Sequence, residues 1–183
     1  MLGRVGRYAV EVSADGSRSL ELPYADRTSA LVIVLPPPGQ STRELVAGFK
    51  AGGVEARRAG RKVGHVEVRL PRFRVESTSQ LNAPLAVMGM RADFSPRANF
   101  SGVAAVLPGR DEPICLAAIY QSTALEVTAK GTTAGAITTA TAVTLGVEDD
   151  PATFLADRPF AFFLIDLRSG LIIFEGVLED PRR

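Results

Sequence analysis

The residues able to do acid–base or metal chemistry are few in this chain and form no familiar catalytic set. There is one histidine, His65, and one cysteine, Cys115. A histidine-based triad needs an orienting carboxylate and a nucleophile beside the imidazole, and no motif supplies either around His65. A metal site built on one histidine and one cysteine would need several carboxylates. We therefore predict no catalytic residue, no metal site and no cofactor, and a protein that is not an enzyme.

A basic cluster, Arg57, Arg58, Arg61 and Lys62, lies on a short stretch for which a helix is predicted. Such a cluster either binds a polyanion or forms a solvated face, and the solvated face is the more common outcome. The formal net charge of the chain is only +1, so no overall field draws it to nucleic acid or to an acidic membrane, and we expect neither partner. Cys115 lies in the apolar run ICLAAIY, which predicts a buried, inert thiol.

The most unusual segment runs from Gly131 to Val147 and has no charged residue over its seventeen positions. Successive side chains of a strand point to opposite faces. On one of these faces every residue is small: Thr132, Ala134, Ala136, Thr138, Ala140, Ala142 and Thr144. A strand with one slim, uncharged face can enter a packed sheet without overpacking the layer beneath it. The pattern predicts a loop that can become a strand; an ordinary permanent strand and an aggregation-prone edge are the alternatives.

Five motifs surround this segment. In chain order they are LELPYADRTSALVIVLPPP, VEVRLPRFRVEST, LAVMGMRADFSPRANFSGV, LEVTAKGTTAGA and ADRPFAFFLIDLRSGLIIFEGVLEDP. Together they resemble, in family order and over almost the whole chain, the motifs of the serpins, a family of conformational protease inhibitors. The resemblance implies an α+β fold of mostly antiparallel β-sheets with a few short helices. It also implies a single partial serpin domain over residues 1–183, with the reactive loop at about 131–153.

The resemblance further implies a truncated fold. The matched motifs begin in the second half of the family's sequence, so most of the large central sheet and the N-terminal helices have no counterpart here. One of the two strands between which a cleaved loop inserts is among the missing parts. The implied function is inhibition of serine, or alternatively cysteine, endopeptidases by cleavage and insertion of the loop. The alternative is a non-inhibitory truncated relic, or a split half that needs its N-terminal partner.

Site residues follow from the resemblance position by position. The hinge residues are Gly131, Thr132, Ala134, Gly135 and Ala136. Counting the family's spacing from the hinge sets the scissile bond at Leu145–Gly146, whereas counting back from Asp157 sets it nearer Val147–Glu148. We favour Leu145, because the hinge side determines how deeply the loop inserts.

The expected partners also follow from this resemblance. A leucine at the cleavage position suggests a chymotrypsin-like or elastase-like target protease. Exposed sheet edges predict self-association of the truncated chain. The family implies an extracellular location, but the first residues lack the pattern of a signal peptide, so a cytoplasmic location stays open.

The elements that must position this segment can be predicted from periodicity, capping and turn residues. A strand ends near Val12 before a turn at Asp15–Gly16, and a strand buried on both faces covers Ser29–Leu35. Ser41 and Glu44 form a capping box for a helix through Phe49 that ends at Gly52–Gly53, and a second, arginine-rich helix follows. The remaining predictions are a strand over Val66–Leu70 that bends at Pro71, a helix stopped by Gly89, a long strand from Cys115 to Val127 and a hairpin about Arg168–Gly170.

Overall fold

Ten strands and three short helices make up the part of the chain that is described. A computed structural model describes residues 2–48, 53–100, 102, 114–128, 131–132 and 152–181. The strands are β1 (Leu2–Val12), β2 (Arg18–Pro23), β3 (Ser29–Leu35), β4 (Lys62–Leu70), β5 (Phe73–Gln80), β6 (Tyr120–Thr128), β7 (Gly131–Thr132), β8 (Ala152–Leu155), β9 (Phe160–Asp166) and β10 (Ile172–Leu178). The helices are α1 (Thr42–Ala47), α2 (Gly53–Ala59) and α3 (Asn82–Val87), with a 3-10 turn at Ala92–Phe94.

Seven of the strands form one sheet, in the order β10-β9-β3-β2-β1-β4-β8. Neighbouring strands in it are antiparallel except β4 and β8, which run parallel. The other three strands form a second sheet in the order β5-β6-β7. These features confirm the predicted α+β fold of mostly antiparallel sheets with a few short helices.

Strand β3 lies inside the seven-stranded sheet and is buried on both faces. Its residues from Ala30 to Leu35 are at most 2% exposed. Alternate side chains enter two hydrophobic clusters, one on each face of the sheet. Leu45 of α1 and Val54 of α2 belong to the second cluster. The prediction made from the uninterrupted apolar run is confirmed.

The first helix begins where its capping box predicts. The Ser41 hydroxyl accepts a hydrogen bond from the Glu44 N–H at 3.2 Å, and the Glu44 carboxylate accepts one from the Ser41 N–H at 2.9 Å. The predicted end at Gly52–Gly53 is wrong: α1 ends at Ala47, and the N–H of its C-cap, Gly48, donates to the Glu44 carbonyl. Glycine is a poor helix former, which is consistent with this early end. Gly53 instead begins the arginine-rich α2, which confirms the second helix.

The bend predicted at Pro71 is the point where the chain changes sheet. Strand β4 ends at Leu70 in the seven-stranded sheet, and β5 begins at Phe73 in the three-stranded sheet. Proline has no N–H to donate to a ladder, so the first strand cannot continue through it with full pairing. Leu70 at the end of β4 and Phe73 at the start of β5 are both buried, so the core continues across the bend.

The last two strands form the predicted hairpin. Strands β9 and β10 pair antiparallel, and Gly170 in their turn has a φ of 72°, a conformation that favours glycine. The Asp166 carboxylate accepts hydrogen bonds from the backbone N–H groups of Ser169, at 2.7 Å, and Arg168, at 3.0 Å. These bonds favour the charged carboxylate and hold the pKa of Asp166 below its ordinary value, the Ser169 backbone bond being the largest cause.

The chain divides into two compact units, Met1–Val75 with Leu125–Arg183, and Glu76–Ala124. The second unit contains α3, which stops before Gly89 at a φ of 110° and so confirms the predicted helix end. That residues 1–183 act as one domain remains a prediction.

The strand predicted from Cys115 begins only at Tyr120. The backbone before it is bonded elsewhere: the Leu116 N–H donates to the Asp93 carbonyl at 2.9 Å, and the Ile119 N–H donates to Asn82 Oδ1 at 2.9 Å. Leu116 and Ile119 thus use their N–H groups in bonds outside a strand ladder. The Cys115 side chain is exposed, so the prediction of a buried thiol is also wrong.

Candidate functional site

Strand β6, which leads into the predicted hinge, ends in the hydrophobic core. Leu125 and Val127 are 8% and 4% exposed and share a core cluster with Phe73. Glu126 between them is exposed and forms an ion pair with Arg74 at 4.0 Å. Alternate residues at this end of β6 therefore face the core and the solvent. This alternation determines which face of a strand added beside β6 would meet the core.

Two of the predicted hinge residues return alongside β6 as β7. Thr132 lies opposite Val127 and Gly131 lies opposite Thr128, in antiparallel register. The other side of β6 is occupied by β5. Among the described residues, β6 has a strand neighbour on the β7 side only at its last two positions, Val127 and Thr128.

The far end of the predicted reactive loop returns to the other sheet. Strand β8 pairs parallel with β4, and the Phe154 side chain is fully buried in the core. The Arg18 guanidinium donates to the Thr153 carbonyl at 2.7 Å, and its carbon lies 5.5 Å from the centre of the Phe154 ring. The two described ends of the predicted reactive loop, β7 and β8, thus belong to different sheets.

The rest of the predicted site lies outside the described residues. This applies to the hinge residues Ala134, Gly135 and Ala136 and to both candidate scissile bonds, Leu145–Gly146 and Val147–Glu148. Their roles remain predictions.

Motifs that are far apart in the sequence meet in the fold. The guanidinium of Arg158, from the segment ADRPF, donates to the Pro36 carbonyl at the end of β3 at 3.1 Å. Phe160 of the same segment packs edge-to-face on Phe73 of LPRF, with ring centroids 5.5 Å apart. Tyr24 of LELPY is 4% exposed and belongs to the same cluster as both rings. These motifs position the strands on either side of the loop.

The three arginines of the basic cluster, on and just after α2, do not form the solvated face that the composition predicts. The Arg57 side chain is only 13% exposed and lies 3.7 Å from the Glu11 carboxylate. Its Nη1 donates to the hydroxyls of Ser13, at 2.6 Å, and Ser17, at 2.5 Å. Lys62, the last member of the cluster, is exposed at the start of β4.

The two other arginines share one carboxylate. Glu21 Oε2 accepts a hydrogen bond from Arg58 Nε at 2.7 Å and another from Arg61 Nη1. The Arg61 side chain is 3% exposed. Burial, the largest effect, lowers the pKa of its guanidinium to about 10, while the negative charge of Glu21 acts in the opposite direction. Since the arginines already have carboxylate partners, the cluster offers little free charge to a polyanion.

Sequence reasoning missed these acidic partners. Glu11 and Glu21 lie on the neighbouring strands β1 and β2, where β1 pairs Ala9 with Glu21 and Glu11 with Ser19. The sequence signal that could have identified these two glutamates is that each lies directly beside an apolar residue in its strand. Only the register of the two strands brings both carboxylates to α2.

The remaining candidates are the single histidine and any cluster of metal-ligating side chains. His65 is exposed on β4. Within the described ranges, no group of three or more His, Cys, Asp or Glu side chains could hold a metal ion. No helix in the same part of the chain is long and apolar enough to span a membrane.

Comparison with known proteins supplies the family. The sequence model described as "Serpin (serine protease inhibitor)" matches residues 1–181. Leukocyte elastase inhibitor from Sus scrofa is 34% identical over 90% of this chain and 43% of its own length. A serpin-like protein from Methanosarcina acetivorans is 34% identical over 90% of this chain and 38% of its own length.

Solved structures show the same fold. Thyroxine-binding globulin in complex with thyroxine superposes with a TM-score of 0.75 at 22% identity, over 99% of this chain and 46% of that one. Tengpin, a thermophilic serpin in its native state, superposes with a TM-score of 0.72 at 24% identity, over 96% of this chain and 44% of that one. The chain spans about two fifths of the length of these curated relatives. Its sequence match and its fold together establish that it belongs to the serpin family.

Proposed function

We propose that this chain carries the reactive-loop part of a serpin-type inhibitor of serine proteases. By analogy with the family, a protease cleaves the loop, and the freed hinge inserts as a strand before the acyl-enzyme is hydrolysed. The observation that carries the proposal is the return of Gly131 and Thr132 alongside the end of β6. The register of these two residues supports a hinge that continues along β6 when the loop inserts.

Continuing the β7 register gives the proposed inserted state a testable geometry. Since Thr132 lies opposite Val127, the next two residues of the same parity, Ala134 and Ala136, would lie opposite Leu125 and Thr123. Directly opposite residues in an antiparallel pair share a face. Val127 and Leu125 face the core, so the small residues of the alternating pattern would face it too. The slim face of the loop therefore matches the buried face of β6.

The proposed scissile bond is Leu145–Gly146, and the proposed target is a chymotrypsin-like or elastase-like protease. About 14 residues at roughly 3.3 Å each would span about 45 Å when extended, enough to carry a bound protease across a domain. The name of leukocyte elastase inhibitor, a relative at 34% identity, is consistent with this target class. We propose no enzymatic activity of its own, no nucleic-acid or membrane partner, and an extracellular location with a cytoplasmic one as the alternative.

The experiment uses a chimera in which this chain is joined to the part of a related serpin that the match leaves out. Ala136→Arg would bury an unpaired charge on insertion and should slow insertion relative to deacylation. We expect the chimera to become a substrate, cut at Leu145–Gly146 without forming an SDS-stable complex with chymotrypsin. Ile137→Arg, on the opposite face, is the matched control and should impair inhibition much less. Equal impairment by both replacements would refute the face assignment.

A second candidate function is favoured by the span of the match. The match covers 43% of leukocyte elastase inhibitor, and a chain of this span acting alone would be a non-inhibitory relic or a split half that needs its N-terminal partner. In that case the 183-residue chain alone should behave as a protease substrate. An SDS-stable complex of this chain alone with chymotrypsin or elastase would exclude this second candidate.

A further inference from the structure

A cavity lies where the end of β3, the start of α1 and the end of β10 come together. Its volume is about 370 Å³, within the range of roughly 300–1,000 Å³ that is usual for small-molecule sites. Every residue that lines it belongs to the same compact unit. The walls are largely apolar and come from four prolines and a valine: Pro36, Pro37, Pro38, Pro159 and Val177.

Arg158 gives this cavity a positive charge. Its guanidinium is half-buried, and Nη2 donates to the Pro36 carbonyl at 3.1 Å. The Nε atom is buried and has no acceptor, and Arg158 forms no ion pair with any described residue. A charge that is taken out of water without a partner is costly, so the environment of Arg158 favours a bound anion.

A second polar side chain of the cavity also lacks a partner. Thr42 is 4% exposed, and its Oγ1 has no hydrogen-bond partner within the described ranges. Buried polar atoms in native proteins are nearly always paired with protein, with ordered water or with a bound group. A threonine hydroxyl can donate to an anion. Thr42 and Arg158 therefore both offer a donor to the same cavity.

The two other charged residues of the cavity neutralise each other. Arg43 Nε lies 3.4 Å from the Glu179 carboxylate, and both side chains are exposed at the rim. Glu179 is thus occupied by Arg43 and does not compensate Arg158. The charge of the cavity therefore has the sign of Arg158.

We propose that this cavity binds a small aromatic carboxylate. The planar guanidinium of arginine matches the geometry of a carboxylate, and the Thr42 hydroxyl is positioned to donate a further bond. The proline side chains offer apolar surface to an aromatic ring, which a bare inorganic anion would leave uncovered. The proposal uses no residue of the predicted reactive loop, so it can fail independently of the proposed function.

The probe is phenylacetate, titrated into the isotope-labelled 183-residue chain and followed by the chemical shifts of the backbone amides. We expect saturable shifts at Gly39, Gln40 and Thr42, with a Kd of about 1 mM or below for a ligand of this size. Phenylacetamide has nearly the same shape without the charge. It should bind at least about tenfold more weakly, because the charge-assisted bond to Arg158 is lost.

Two cavity variants and one control test the location. Arg158→Gln should weaken phenylacetate binding about tenfold or more. Thr42→Val keeps the shape and the charge of the cavity, serves if the Arg158 variant folds poorly, and should weaken binding about threefold or more. Arg168→Gln removes the same charge from the exposed turn between β9 and β10 and should leave the Kd unchanged.

Three results would overturn the proposal. They are equal affinity for phenylacetamide, insensitivity to both cavity variants, and loss of binding when this chain is joined to the remaining part of a related serpin. The last result would mean that a segment of the longer chain fills the cavity.

Discussion

Removing the Glu21 carboxylate should leave a buried positive charge without a partner. Glu21 Oε2 is the hydrogen-bond acceptor for Arg61 Nη1, and the Arg61 side chain is 3% exposed. The Nε and Nη2 atoms of Arg61 are buried and have no acceptor among the described residues. In Glu21→Ala the buried Arg61 charge would therefore lose its hydrogen-bonded carboxylate.

The expected loss of stability in Glu21→Ala follows from the burial of the Arg61 side chain. Breaking a buried ion pair by removing one partner costs about 3–5 kcal/mol. Glu21 is itself 16% exposed, and Arg58 keeps a second carboxylate, Glu55, at 2.8 Å. We therefore expect the lower end, a loss of about 3 kcal/mol in the free energy of unfolding. The exposed ion pair between Arg43 and Glu179, with side chains 85% and 69% exposed, is the control, and Glu179→Ala should cost about 0–1 kcal/mol.

The assay is urea unfolding of the 183-residue chain at low micromolar concentration, followed by circular dichroism. With a slope of about 2 kcal/mol per molar urea, a loss of 3 kcal/mol lowers the midpoint by about 1.5 M. The double variant Glu21→Leu with Arg61→Leu removes both charges and should recover most of the loss, since a hydrophobic pair can replace a buried ion pair at little cost. A loss below about 1 kcal/mol in Glu21→Ala, or no recovery in the double variant, would refute the idea that Arg61 is a buried, paired charge.

Three further predictions address packing, titration and the loop. Gly176→Ala should lower the free energy of unfolding by about 1–3 kcal/mol, because a Cβ there would lie 2.9 Å from Cε1 of Phe162 and closer still to its Cζ. The control is Gly64→Ala, where no atom lies within 4 Å of the added carbon, and it should be close to neutral in the same urea assay. In an NMR titration the Asp166 carboxyl should titrate below its ordinary pKa of 3.8. Its contribution to stability should therefore be complete above pH 3.8 and be lost as the pH falls through the pKa of the folded state. A titration midpoint at or above 3.8 would contradict the turn geometry. Limited proteolysis followed by mass spectrometry should give first cuts between Val143 and Glu148, as expected for an exposed reactive loop, whereas early cuts confined to α2 would argue that the loop is already a paired strand.

Features of the local structure could be predicted from the sequence, because they depend on residues that are close together in the chain. The capping box of Ser41 and Glu44, the apolar run of β3 and the turn before β10 each depend on residues a few positions apart, and all three are confirmed. The parity of the small residues in the hinge was also visible in the sequence. The register that sets Thr132 opposite Val127 is consistent with that parity, but which face of β6 meets the core was known only from the fold.

The tertiary structure decided the features that depend on distant partners. The arginines on and after α2 were expected to be solvated, yet Arg61 is buried and paired with Glu21, a residue of β2 that is 40 positions away in the sequence. Cys115 was expected inside a strand and is exposed before its start, where the neighbouring Leu116 and Ile119 N–H groups bond to Asp93 and Asn82. Composition and spacing report a residue's own preferences, but burial and ion pairing are determined by which distant segment lies against it. The position of that distant segment is fixed only by the tertiary packing of the sheet and its core.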